Sequence, residues 1–156
     1  MKRVITADSS ELIARAKELV LEYALSLGVD LSFQDFETEI DTFPEQYSPP
    51  RGRLLLAECE GEIVGCVGLR DSGGGKCEMK RMYVQPEYQG SGLGRALGEK
   101  LISEARDIGY THMRLDTIPA MKAAVSLYMS LGFKETEPYR FNPFKEAMFM
   151  ELDLRR

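Results

Sequence analysis

Residues 77–95 read Cys-Glu-Met-Lys-Arg-Met-Tyr-Val-Gln-Pro-Glu-Tyr-Gln-Gly-Ser-Gly-Leu-Gly-Arg. The first half has the character of a β-strand and breaks at Pro86; the second is a glycine-rich turn that opens a helix. Gly90, Gly92 and Gly94 leave no Cβ between the main chain and a ligand. The first unpaired N–H groups of the following helix point outward at the positive end of its dipole. Strand, bare turn and helix N-terminus in that order make an anion cradle, and a phosphate compound is the expected occupant.

Upstream of the cradle, Leu54 to Cys59, a turn at Glu60-Gly61-Glu62 and Ile63 to Leu69 read as a β-hairpin. The run Asp71-Ser72-Gly73-Gly74-Gly75 turns the chain into a strand over 77–84, so three antiparallel strands precede the cradle. Downstream, Leu93, Ala96, Leu97, Leu101, Ile102 and Ala105 give a helix from about Gly92 to Ile108 its inner face, and Gly109 stops it. A strand at 111–117 follows. A strand, a crossover helix and a strand force parallel pairing, so the sheet becomes mixed where the cradle lies. Pro119 permits a helix at about 120–131, and strand-like stretches near 133–137 and 146–153 close the chain. At the other end, Asp8 to Leu27 is an amphipathic helix, with Asp8 and Glu11 as a capping box and Gly28 as its stop. Residues 31–40 read as a short second helix, and the proline-rich 43–52 as a loop without regular structure, placed to cover a site.

With 156 residues the chain is expected to be one domain, 1–156, large enough for a single core. It has 44% apolar and 29% charged residues, and no stretch approaches the ~20 apolar residues of a membrane span, so no membrane association is expected. The polar run Thr6-Ala7-Asp8-Ser9-Ser10 is unlike a secretion signal, which points to the cytoplasm. Cys59, Cys66 and Cys77 form no Cys-x-x-Cys pair and read as core fillers, and with a single histidine, His112, no metal is expected. A net charge of −5 disfavours nucleic acid as a partner and suits a cationic amine.

The spacing of the glycines narrows the ligand. The rule Gly-x-x-x-x-Gly-Lys-Ser/Thr is met nowhere, and Leu97 stands where Gly-x-Gly-x-x-Gly needs its last glycine. Asp116 lies at about a ribose-binding distance, but three antiparallel strands before the glycines argue against a dinucleotide fold. Gln89-Gly90-Ser91-Gly92-Leu93-Gly94 instead resembles the Gln/Arg-x-x-Gly-x-Gly/Ala signature of the GNAT superfamily of acyl-CoA-dependent N-acyltransferases. Met82-Tyr83-Val84-Gln85-Pro86 resembles the strand end before that signature. Ala124-Val125-Ser126-Leu127-Tyr128-Met129-Ser130-Leu131-Gly132-Phe133 resembles the family's Ala-x-x-Leu-Tyr-x-x-x-Gly-Phe segment, and the similarity spans about residues 54–152. One departure is Met121, where the family often has asparagine.

The resemblance implies an α/β (α+β) fold: a mixed, mostly antiparallel sheet of six to seven strands with a central, splayed parallel pair, flanked by about four helices. It implies acetyl-CoA as co-substrate, its pyrophosphate on the amides of Gln89, Gly90, Ser91, Gly92, Leu93, Gly94 and Arg95, and its pantetheine along the main chain of Met82, Tyr83 and Val84. The reaction implied is direct acetyl transfer to a primary amine of a small molecule. A protein acceptor, or a non-catalytic acyl-CoA-binding module, are the alternatives, and a homodimer is compatible with either.

An alkylamine of pKa ~10.4 is protonated at neutral pH and needs a proton acceptor, while the departing thiolate benefits from an acid. Glu78, eleven residues before Gln89, occupies a position where relatives place a general-base glutamate; the alternative is a carboxylate paired with Lys80 or Arg81. By strand parity it shares a face with Lys80, Met82 and Val84 unless a bulge intervenes. Tyr128 matches the family's tyrosine near the CoA sulfur and is the expected general acid; the alternative is a packed aromatic. Two aromatic loops are the expected walls of the acceptor pocket: Phe43, Tyr47 and Pro49-Pro50 on one side, Tyr139-Arg140-Phe141-Asn142-Pro143-Phe144 on the other. In them Tyr47, Arg140 and Asn142 are the expected substrate contacts, with Arg140 pairing a carboxylate of the acceptor or standing solvated.

Overall fold

Glu60 and Gly61 both adopt positive φ, 50° and 83°, the two-residue turn that matches strand twist, and they join the strands on either side into a hairpin. The strands are β1 (Lys2–Thr6), β2 (Arg53–Cys59), β3 (Glu62–Gly73), β4 (Lys76–Val84), β5 (His112–Thr117), β6 (Lys134–Thr136) and β7 (Met148–Asp153). The helices are α1 (Ser10–Leu27), α2 (Phe36–Thr42), α3 (Leu93–Ile108) and α4 (Lys122–Ser130). This computed structural model describes residues 1–27, 36–119, 121–140, 142 and 146–155. The Gly28 stop, the start of the second helix, and Phe141, Pro143 and Phe144 lie outside the described residues.

The sheet runs β1-β2-β3-β4-β5-β7-β6. Every neighbouring pair is antiparallel except β4 and β5. Alternation along β2 sends Leu55 and Ala57 into one core with Leu97, Leu101 and Ala105 of α3, and Leu54 and Leu56 into another with Ala16, Leu19 and Val20 of α1.

Four local features differ from the sequence reading. A fourth antiparallel strand, β1, precedes the cradle; it is a short edge strand with only two apolar residues, held by the Arg3–Glu58 pair. Helix α1 is capped by Ser9 rather than Asp8: Ser9 Oγ accepts the Leu12 N–H at 3.2 Å. The proline-rich loop carries a 3-10 turn at Glu45–Tyr47. Finally, β4 bulges at Arg81, φ 59°, where the register against β3 slips between Cys66 and Gly68. Cys77, Met79 and Val84 therefore face the α3 core while Tyr83 faces the α1 core, so Met82 and Val84 do not share the face of Glu78.

Candidate active site

Gly92 caps α3 in the left-handed region, φ 90°, and Gly90 has φ 79°. A Cβ at either position would meet nothing within 4 Å, so the turn presents bare main chain to its surroundings. The helical ladder begins with Ala96 N–H donating to Gly92 O at 3.0 Å, which leaves the N–H groups of Leu93, Gly94 and Arg95 ahead of it. No side chain caps them. The turn is fastened from behind. Gln89 Nε2 donates to Val84 O at 2.9 Å, Lys2 Nζ to Ser91 O at 2.8 Å, and the Ser91 hydroxyl to Tyr88 O. Gln89 and Ser91 thus shape the cradle through their side chains; the Gln89 N–H, expected to meet the pyrophosphate, is instead taken by Pro86 O at 3.3 Å, closing the short 3-10 turn before the cradle.

Pairing between β4 and β5 covers only Lys76 to Glu78 against His112 to Arg114. Beyond Glu78, β5 continues against β7 alone, and the edge of β4 from Met79 to Val84 opens onto a cleft. The cleft has a volume of about 880 Å³, within the range of small-molecule sites. Met82, Tyr83, Val84, Gln89, Gly90, Gly92, Gly94 and Arg95 all line it, and from the opposite wall so do Tyr128, Met121 and Lys122. A diphosphate at the glycine turn with an amide-bearing arm along the unpaired edge of β4 fits this shape and these donors.

Tyr128 is 7% exposed, its ring packs edge-on against Phe133 at 6.1 Å, and burial raises its phenol well above the usual value, with Tyr23 and Asp116 adding to the rise. It keeps its proton at neutral pH, as an acid must.

Two charged residues that sequence reasoning did not single out as site residues line the same cleft: Lys80 on β4, just before the bulge, and Asp116 on β5. Burial, with the charges of Arg81 and Arg140, pushes the Lys80 ammonium down to about 8 against the opposing pull of Glu78 and Asp116. Burial alone would raise the Asp116 carboxyl. Arg140 and Lys80, with hydrogen bonds from Asn142 and Arg140, outweigh it and hold Asp116 below the usual range. Asn142 lines the cleft and donates to Asp116 Oδ2 at 2.9 Å. The available sequence signal for Lys80 was a cation inside a strand, between Met79 and Arg81.

Glu78 is 1% exposed and lies behind the cleft rather than on its lining. Arg70 Nε and Nη2 both reach its Oε1 at 2.8 Å, and the Tyr139 hydroxyl donates to Oε2 at 3.1 Å. Arg140 bridges the two carboxylates, its Nε 3.5 Å from Glu78 Oε2 and its Nη2 3.0 Å from Asp116 Oδ1. Arg140 is thus neutralised by the protein itself. Tyr47 is away from the cleft too: 1% exposed, it donates to Glu39 Oε2 at 2.8 Å, and its ring fills the space that a Cβ on Gly68 would need, 2.7 Å away.

An open-edged parallel pair leading into a bare glycine turn at a helix N-terminus defines an acyl-CoA-type transferase fold. The chain belongs to the Acetyltransferase (GNAT) family, whose pattern it matches over residues 13–133. It is 43% identical over 142 residues to an uncharacterized N-acetyltransferase of Schizosaccharomyces pombe, covering 90% of this chain and 87% of that one. Its fold superposes on a GNAT-family acetyltransferase of Staphylococcus aureus with a TM-score of 0.80 at 23% identity, covering 99% and 100% of the two chains. It also superposes on YncA of Salmonella typhimurium, solved with its cofactor acetyl-CoA, with a TM-score of 0.70 at 24% identity over 99% and 94%.

Proposed function

We propose that this chain transfers an acetyl group from acetyl-CoA directly to the primary amine of a small molecule. The observation that carries the reading is the edge of β4 from Met79 to Val84, which β5 leaves unpaired, leading through the glycine turn to the uncapped start of α3, with a buried, protonated Tyr128 lining the same cleft. Bound there, the coenzyme supplies an activated thioester. In the reaction the ammonium first gives one proton to solvent; the neutral amine nitrogen then bonds to the acetyl carbon, the carbon–sulfur bond breaks, the nitrogen sheds its second proton and the sulfur gains one.

The residues divide that work. Main-chain N–H groups near Met82 and Tyr83 meet the negative charge that develops on the carbonyl oxygen. Tyr128 donates the proton to the leaving sulfur. Asp116 is the cleft's carboxylate; held below the usual range it stays ionised at neutral pH and orients the ammonium, whose first proton goes directly to solvent. Glu78 acts through the Arg140 bridge and fixes the Asp116 position, a positioning role. Cys66 and Cys77, whose thiols burial pushes up to about 12, do not fit an acyl-enzyme route.

The test is thiol release from acetyl-CoA against a panel of primary amines and peptide N-termini, with coenzyme binding followed in parallel. Turnover that depends on a small amine supports the reading. Turnover only on peptides moves the acceptor class to proteins, and coenzyme binding without turnover on any amine makes the chain a binding module.

A further inference from the structure

Two buried carboxylates, Glu39 and Glu78, and the partly buried Asp116 meet four cations, Arg70, Lys80, Arg81 and Arg140, and the pairing leaves one cation over. Arg81 takes Glu39 through a fork, Nε to Oε2 at 3.0 Å and Nη2 to Oε1 at 2.8 Å. Arg70 takes Glu78, and Arg140 spans Glu78 and Asp116. Lys80 is 7% exposed and has neither a hydrogen bond nor an ion pair among the described residues, yet it lines the cleft. Lys80 is therefore a cation that no carboxylate or acceptor among the described residues pairs, on the lining of the cleft, where the anionic group of a ligand would complete it. Beside it stands Asp116, whose two oxygens each accept one hydrogen bond and retain a lone pair for another donor. A cation on β4 and an anion on β5, both lining the cleft and near enough to shift each other's charge, are complementary to a carboxylate and an ammonium carried on one small molecule.

We infer that the acceptor is an amine bearing a carboxylate, of the α-amino acid class, with its carboxylate on Lys80 and its amino group at Asp116. The inference rests on the acetyltransferase reading and goes further by naming the acceptor class. Lys80, rather than Arg140, reads the carboxylate, because Lys80 lines the cleft while Arg140 lies off its lining, ion-paired with Glu78 and Asp116 even though its buried Nε makes no hydrogen bond among the described residues. The groups that set the Lys80 charge are Glu78 and Arg81 on its own strand, Asp116 on β5 and Arg140 from the connection between β6 and β7.

The test has two arms. In the first, amino acids are compared as acceptors with the amines left when their carboxylate is removed, phenylalanine against phenethylamine and leucine against isopentylamine among them. The wild type is expected to favour the carboxylate-bearing member in kcat/KM by about tenfold or more. Lys80→Met should abolish that preference, the kcat/KM ratio within each acceptor pair falling to about one chiefly through KM of the carboxylate-bearing member, and Lys80→Arg should keep part of it. In the second arm, N-acetyl amino acids, which carry no amine, are titrated into the CoA-bound protein by calorimetry. They are expected to bind the wild type and not Lys80→Met, with affinity falling as pH rises through about 8.

Amine turnover without a carboxylate preference, or a preference that Lys80→Met retains, overturns the inference and leaves the transferase reading standing. Loss of N-acetyl amino acid binding in Lys80→Met without turnover on any amine keeps the Lys80 site and removes the transferase reading. No binding of any N-acetyl amino acid to the wild type overturns the inference in either case.

Discussion

Arg81 and Glu39 form a two-point ion pair with both side chains 9% exposed, and it ties the bulge of β4 to α2. The bulge is what directs Tyr83 and the main chain after it, so this pair anchors the strand segment that faces the cleft. Removing one partner of such a pair leaves an uncompensated buried charge. Glu39→Gln or Arg81→Met should cost about 3–5 kcal/mol in urea unfolding. A loss under about 1 kcal/mol would show the bulge to be held by the chain alone.

Acid should destabilise the protein through the same groups. Burial alone would raise the Glu39 carboxyl, but the hydrogen bond and charge of Arg81 and the hydrogen bond from Tyr47 hold it below its ordinary value, and Asp116 is lowered likewise. A carboxyl depressed in the folded state contributes stability that is fully present above its unfolded pKa, ~4, and is lost as pH falls through the folded value. Melting temperature should therefore hold down to about pH 4 and fall below it, with a shallower fall in Glu39→Gln.

Tyr128→Phe removes only a hydroxyl from a ring seated against Phe133. The fold should survive, kcat should drop by about 10- to 10³-fold, and affinity for acetyl-CoA should change little. A variant that unfolds, or one with unchanged kcat, would return Tyr128 to a packing role.

Gly92→Ala places a side chain at φ 90° and at the mouth of the cradle. No protein atom lies within 4 Å of the new methyl, so the stability cost is limited to backbone strain of about 1–2 kcal/mol. Coenzyme affinity should fall further than that strain explains. Equal CoA binding by Gly92→Ala and wild type would show that the anion sits elsewhere.

Glu78→Gln keeps the shape while removing the charge that Arg70 and Arg140 share. The expected outcome is a lower kcat/KM and a displaced acid limb of the pH–rate profile, with acetyl-CoA binding unchanged. Unchanged kcat/KM and an unchanged profile would leave Glu78 with no part in the reaction.

Much of this was legible from residues 77–95 and their neighbours, because glycine spacing, strand runs and helical periodicity are local signals. The hairpin turn, the α3 boundaries at Gly92 and Gly109 and the parallel pair all follow from them. What stayed hidden depends on long-range packing. β1 contributes only Val4 and Ile5 as apolar residues and forms by adding to an edge already built by β2. The Arg81 bulge flips the parity of β4, and no local pattern announces it. Tyr47, aromatic and in a proline-rich loop, resembles a pocket wall until the missing side chain of Gly68 is seen to admit its ring. Lys80 and Asp116 sit on different strands and become neighbours only when the crossover through α3 closes.

Where β4 and β5 part after Glu78, the sheet is least stitched at its middle rather than at its rim. The edge of β4 that β5 leaves unpaired faces the cleft, and the coenzyme's own amides would pair with it. Ligand binding should then slow deuterium uptake most in the heart of the barrier, at Met82 to Val84, and scarcely at all along β1 or β6, the reverse of how a protein usually tightens from its fringes inward.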